Sequence, residues 1–371
     1  METIFRDFYG LFPERFQNKT NGITPRLWLR CANPELSELI SDNIGSDWIT
    51  NLDKLKKLLE LASTESFQHQ WQEVKRRKKQ QLCEWILATH KVELAVDSLF
   101  DVQVKRIHEY KRQLLNILHV VHLYDQLRKK TKMNAPKRTF LFGGKAAPGY
   151  YMAKQIIRLI NDVAAKVNTD VNIEDRLRVL FVTNYGVSSS EKIIAASEVS
   201  EHISTAGTEA SGTSNMKFSL NGCILLGTHD GATIEIGEEV GSENIFTFGM
   251  KAYDVQHLRA NGYDPQQIYN ENPRVQNVLD LVGSGFFNPQ EPQRYRDLID
   301  SLIYNDHYLL LADFDAYSAC QELVGKTYQD VPTWTQMSIA NTAKVGKFSS
   351  DRTIREYATQ IWNVHPLLHG R

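Results

Sequence analysis

Between Leu99 and Gly249, short apolar runs alternate with stretches whose apolar residues recur at helical spacing, and few folds accept that alternation. A run that is apolar throughout needs cover on both faces. The helical stretches between the runs can supply it, which is the pattern of βα units on a parallel sheet. Phe100, Val102 and Val104 read as a strand, and Leu114, Leu115, Leu118 and Val121 as the apolar face of the helix that follows. Thr139 to Phe142 is a second strand, ending in Gly143-Gly144-Lys145 and followed by a helix with Ile156, Ile160, Val163 and Val167 on one side. Val179 to Val182, Cys223 to Leu226 and Ile245 to Phe248 read as three more strands, and Thr233 to Ile236 is a candidate for another. The expected fold is α/β, a Rossmann-like doubly wound parallel sheet.

The flanks differ. Leu52 to Glu60 and Phe67 to Leu87 read as helices, the second carrying the basic run Lys75-Arg76-Arg77-Lys78-Lys79, expected to be a solvated face. Beyond Asp264 the chain reads as mostly helical, with Trp334 and Trp362 as packing aromatics. The 371 residues are 42% hydrophobic and 23% charged, which excludes disorder as the main state. Lys plus Arg total 43 against 44 Asp plus Glu, so no broad electrostatic footprint exists for nucleic acid or an anionic membrane. No apolar stretch reaches the roughly 18 residues of a membrane span. Residues 1–16 fit neither a signal peptide nor a transit peptide. Cys31, Cys83, Cys223 and Cys320 form no CxxC pair, which points to a reducing compartment, cytoplasm or plastid, and away from a zinc site.

Two stretches could carry chemistry. Lys105-Arg106-Ile107-His108-Glu109-Tyr110-Lys111-Arg112 sets four cations where the first strand gives way to its helix. On one continuous helix Lys105 and Lys111 would point about 120° apart. They converge only if Lys105 and Arg106 precede the first turn, and the junction is then an anion site. A basic surface turn is the other reading. Thr205 to Asn215 is built of small residues and followed by Met216-Lys217-Phe218. Small residues let backbone N–H groups approach a ligand, and Thr213 and Ser214 add hydroxyls, so the stretch reads as a phosphate cradle or as a flexible linker. A lysine just after such a cradle is placed to condense with an aldehyde cofactor whose phosphate the cradle holds. His108, His202 and His229 lack metal-ligand spacing and read as structural, and Asp230-Gly231 reads as a turn.

The segments Gln103–Asn116 and Glu209–Phe218 resemble the two most diagnostic segments of the α-glucan (glycogen and starch) phosphorylase family. The resemblance continues through Asn18–Arg26, Gly143–Tyr150 and Phe348–Arg352, and so spans the chain. It implies the second lobe of a two-lobed (GT-B type) glycosyltransferase. Residues 1–20 would end an amino-terminal lobe, and residues 21–371 would form the carboxyl-terminal domain that binds pyridoxal 5′-phosphate, with helical additions at 21–98 and 264–371.

The resemblance also implies an activity, the reversible phosphorolysis of terminal α-1,4-glucosidic bonds to glucose 1-phosphate. Inorganic phosphate and α-1,4-glucan would be the substrates and pyridoxal phosphate the cofactor, on Lys217. By family position, Lys105, Arg106 and Lys111 would be catalytic. Gly212, Thr213, Ser214, Tyr185 and Trp28 would join Lys217 around the cofactor, and Asn21, Glu209, Ala210 and Ser211 would bind the glucosyl unit. The family is homodimeric, with contacts mostly in the amino-terminal half. Leu27, Gly186, His229 and Thr233-Ile234 depart from the family pattern. The alternative for the chain alone is a truncated cofactor-binding domain, inactive by itself, serving as a regulatory or partner-binding module.

Overall fold

The computed structural model describes residues 5–130 and 135–365. The first four residues of the expected 1–20 segment and the last six of the expected 21–371 domain lie outside them. Six strands form one sheet: β1 (Leu99–Val104), β2 (Arg138–Gly143), β3 (Leu177–Val182), β4 (Val199–His202), β5 (Ile224–Gly227) and β6 (Phe246–Thr247). Every pair is parallel and the order is β3-β2-β1-β4-β5-β6, the doubly wound arrangement expected from the sequence. Because β1 pairs with both β2 and β4, the chain reverses its direction of travel across the sheet there. A crevice opens outside the carboxyl ends of those two strands.

Side chains alternate across the sheet into two cores. Leu99, Phe140, Phe142 and Val179 face the helices Gln113–Arg128, Tyr151–Thr169, Pro273–Gly283 and Leu310–Gln329. Phe100, Val102, Val104 and Leu141 face the opposite way, onto Glu65–His90, Val187–Ala196 and part of Val331–Lys344. Gln113–Arg128 is buried on nearly every side, packed against the three helices Tyr151–Thr169, Pro273–Gly283 and Leu310–Gln329.

Four sequence expectations are corrected. Thr233 to Ile236 is not a strand but part of the helix Ala232–Val240, because Gly231 turns the chain at the end of β5. Val199–His202 is a strand that the sequence pattern did not suggest, since three of its four residues are polar. Trp334 packs in the core, as expected, whereas Trp362 is 57% exposed.

The basic run is not a solvated face either. Only Arg76 and Arg77 are exposed. Lys75 Nζ donates to the carbonyls of Ser197 at 2.6 Å, Ala195 at 3.3 Å and Asn221 at 3.4 Å, capping the ends of two helices where orphan carbonyls collect. Lys79 is buried against Glu198 at 2.9 Å and Ser98 O at 2.6 Å, and Lys78 meets Glu35 at 2.9 Å. Their long stems pass through apolar surroundings while each ammonium finds oxygen.

The segments containing Asn18–Arg26 and Phe348–Arg352, more than 300 residues apart in sequence, are joined. Ile23 N donates to Phe348 O and Ser350 N to Ile23 O, Arg26 pairs with both oxygens of Asp351, and Arg352 donates to Thr20 O. This clasp holds Asn21 beside the 205–214 loop and Trp28 beside the helix Ser214–Leu220. By contrast the helix Arg6–Leu11 buries none of its residues, and Phe5, Phe8, Leu11 and Phe12 stand exposed.

Candidate functional site

Strand β1 ends at Val104, so Lys105 leaves the sheet at the crevice, and a short 3₁₀ turn, Glu109–Lys111, brings the chain back before the helix starts at Gln113. Lys105 and Lys111 therefore converge, as the sequence argument required. Both line one cavity of about 280 Å³ together with Tyr185, His202, Glu209, Ser211, Gly212, Thr213, Ser214 and Asp230. The four cations do not act alike. Arg112 turns inward, fully buried, with Asp313 at 2.7 Å and Ile203 O at 2.7 Å, and belongs to the core. Arg106 is exposed and lies outside the cavity lining.

The two lysines are held differently. Lys111 pairs closely with Glu209, and Tyr110 Oη donates to the same carboxylate at 3.3 Å. Burial works to lower the Lys111 pKa, but Glu209 outweighs it and the net shift is upward. Lys105 has no carboxylate partner among the described residues. Burial first, and then the charge of Lys111, push its pKa down to about 7. Its Nζ lies 3.1 Å from His202 Nδ1, and His202 Nε2 lies 2.8 Å from Ser200 Oγ. Burial raises the Tyr185 pKa to about 12, so that phenol stays neutral.

The far wall is the loop 205–214, shaped by Asp230. That carboxylate accepts from Ser204 Oγ at 2.8 Å and from the backbone N–H groups of Gly207 at 3.0 Å, Thr208 at 3.3 Å, Glu209 at 2.8 Å and Gly231 at 3.1 Å. Gly231, at φ +52°, is pressed so close that a Cβ would meet Ser211 O at 2.4 Å, and Ala232 N donates to that same oxygen. The Asp230-Gly231 turn is therefore the anchor of the loop. The sequence marked it only as a turn, and the available signal was an Asp-Gly pair just past an apolar strand. His202 was likewise read as structural although it ends a strand at the crevice.

The cofactor residues assemble only in part around the cavity. Gly212, at φ +99°, lets the chain bend there, and among the described residues the N–H groups of Gly212, Thr213 and Ser214 make no hydrogen bond. Such a row of open donors suits a phosphate. Lys217 lies one turn further on, its Nζ 3.7 Å from the centre of the Trp28 ring, half-buried and with its pKa lowered by burial. An amine whose pKa burial lowers, paired with no carboxylate among the described residues, fits an aldehyde partner. Asn21 Nδ2 reaches Ser211 Oγ at 3.1 Å. Ala210 is exposed beside it, and neither Asn21, Ala210, Trp28 nor Lys217 lines the cavity itself. A larger cavity of about 690 Å³, lined by Trp71, Tyr328 and Trp334 among others, contains none of the expected site residues.

Comparison with known proteins gives the family. Residues 1–364 match the family described as carbohydrate phosphorylase. The chain is 53% identical over 367 residues to a glycogen phosphorylase of Synechocystis sp., covering 99% of this chain and 43% of that protein. It is 50% identical over 365 residues to the muscle form of glycogen phosphorylase from Ovis aries, covering 98% of this chain and 43% of the relative. Identity to the brain form from Rattus norvegicus is 49%, again over 365 residues. The chain thus spans less than half the length of these curated relatives.

Proposed function

The chain belongs to the carbohydrate phosphorylase family, and from that premise we propose that it is the cofactor-bearing lobe of an α-glucan phosphorylase, cleaving terminal α-1,4-glucosidic bonds with inorganic phosphate to give glucose 1-phosphate. One observation carries the reading. Lys105 and Lys111 from one side and the open N–H groups of Gly212 to Ser214 from the other surround a single cavity at the sheet's switch point.

Phosphorolysis needs that arrangement. Two unit anions 4 Å apart repel by about 4 kcal/mol at an effective dielectric near 20, so a phosphate seated beside a second phosphate requires cations around both. Lys105 supplies a cation that no carboxylate among the described residues pairs with, and Lys111 adds one that it shares with Glu209. Arg106, exposed one residue beyond Lys105 and outside the cavity lining, would add a third cation. Lys217 would hold pyridoxal 5′-phosphate, with Trp28 and Tyr185 beside it and Gly212, Thr213 and Ser214 on its phosphate. Bound there, that phosphate would supply a proton relay to the substrate phosphate. Glu209, Ala210, Ser211 and Asn21 would orient the glucosyl unit, and the Asp230 anchor holds Glu209 and Ser211 in register. Orientation of this kind is worth roughly 7–11 kcal/mol of barrier.

Residues 1–20 would belong to a second lobe, a reading supported by the helix Arg6–Leu11, which buries none of its residues and whose Tyr9 meets Phe16 of the same segment, ring centroids 5.5 Å apart. The chain alone then captures cofactor but turns over poorly, which is the content of the second reading, a binding module inactive by itself. That reading draws on the chain's covering only 43% of its Synechocystis relative. The test is a coupled assay for glucose 1-phosphate on this chain, saturated with pyridoxal phosphate and glucan, with and without a separately supplied amino-terminal half. Phosphate-dependent release that appears with the added half and falls at least about tenfold in Lys111→Ala supports the proposal. Release unaffected by Lys111→Ala refutes the assignment of the cavity.

A further inference from the structure

Lys105 and Lys111 enter the same cavity, yet they are held by chemically different partners, a carboxylate for Lys111 and an imidazole for Lys105. Glu209 is already taken by Lys111 and Tyr110, and both oxygens of Asp230 are filled by the five donors of the loop and its own turn. Among the described residues no carboxylate pairs with Lys105.

The protonation of His202 follows from its partners. When Lys105 is charged its ammonium is only a donor, so the atom facing it, Nδ1, then offers a lone pair. A neutral imidazole then carries its proton on Nε2, which faces Ser200 Oγ at 2.8 Å. Ser200 and His202 lie on the same face of β4, two residues apart, and both are buried. The ring also packs edge-on near Phe218, with centroids 6.3 Å apart. Strand geometry, serine and packing hold the ring in one orientation, and the charged ammonium selects the tautomer, which the Ser200 hydroxyl meets by accepting from Nε2.

We propose that His202 is a positioning residue for Lys105, a neutral acceptor that turns the ammonium into the cavity without cancelling its charge, so that the charge remains for an anion. This rests on the reading of the cavity as a phosphate site. A carboxylate in the same place would hold the ammonium as firmly and remove the net charge an anion needs. An apolar residue would leave an ammonium without an acceptor and favour its neutral amine. The charged groups facing Lys105 are Lys111 on the 3₁₀ turn, Glu209 on the loop and Glu201 on β4, with burial opposing its charge throughout. Burial, then the charges of Lys105 and Lys111, also hold His202 neutral.

The test uses this chain loaded with pyridoxal phosphate, with inorganic phosphate as the probe, and three variants, His202→Asn, His202→Asp and His202→Leu. Asn places its carbonyl oxygen where Nδ1 stood, so phosphate affinity is expected within about threefold of the parent, whereas Asp and Leu each weaken it about tenfold or more. The Lys105 titration, followed by ¹⁵N NMR of its Nζ, separates the two losses: it moves up in Asp and down in Leu. Ring ¹⁵N shifts of His202 in the parent chain should report an unprotonated Nδ1 and a protonated Nε2 at about pH 6, where Lys105 is charged. A reversed tautomer, or a Lys105 titration unmoved by Leu and Asp, overturns the inference whether or not phosphate binds. If Lys105→Met leaves phosphate affinity unchanged, the phosphate reading fails instead, and the NMR results still judge the His202 relationship.

Discussion

Asp230 Oδ2 accepts the backbone N–H of Glu209 at 2.8 Å, which ties the carboxylate partner of Lys111 to the end of β5. The same two oxygens fix Gly207, Thr208 and Gly231, so the loop's shape depends on a charged acceptor with two filled faces. Asp230→Asn would aim an amide NH₂ at backbone donors. It is expected to cost about 3 kcal/mol of stability in urea unfolding and to weaken glucan use far more than cofactor binding. A stable Asp230→Asn protein with unchanged glucan dependence would show that the loop holds itself.

Lys105 gives a pH signature in stability. Its folded pKa, about 7, lies below the ordinary lysine value, so between about pH 7 and 10 the unfolded chain binds more protons and the parent gains stability as pH rises. Below pH 7 the cost of burying the ammonium is fully present. Lys105→Met removes this term, and its stability relative to the parent should therefore fall steadily from pH 7 to pH 10. Parallel pH–stability curves for the two proteins would mean that Lys105 is not depressed.

The buried pair Lys79–Glu198 makes a prediction about the fold alone. Glu198 accepts Lys79, Tyr328 and the backbone N–H of Phe100 at the start of β1. Lys79→Ala leaves that carboxylate buried with its charge uncompensated, a loss of about 3–5 kcal/mol. The exposed neighbour Arg76→Ala is expected to change stability by less than about 0.5 kcal/mol. Equal effects in chemical denaturation would restore the solvated-face expectation.

What the sequence could reveal followed from burial. β1, β2 and β3 were legible because each carries apolar residues in a strand pattern, Phe100, Val102 and Val104 in alternation, and Phe140 to Phe142 and Val179 to Val182 as runs. β4 was not, because Ser200, Glu201 and His202 are polar residues whose partners lie far away in sequence: Glu201 meets Gln321 at 2.6 Å and His202 meets Lys105. Thr233 to Ile236 carries β-branched residues suited to a strand, yet Gly231 and the clasp on Ser211 start a helix there. A run of lysines gives no local sign of which ammonium will find a helix end to cap, as Lys75 does. The cation cluster and the small-residue loop were legible as separate stretches. Their convergence on one cavity depends on the strand order, which periodicity does not encode.

The most direct measurement is the site of covalent attachment of the cofactor. The chain is incubated with pyridoxal 5′-phosphate, reduced with borohydride, digested and mapped by mass spectrometry. The account predicts a pyridoxyl group on Lys217, held beside Trp28 and behind the open N–H groups of Gly212 to Ser214, and loss of that label in Lys217→Ala with the fold retained by circular dichroism. Label on Lys105, on Lys111 or on an exposed lysine with Lys217 unmodified would contradict it.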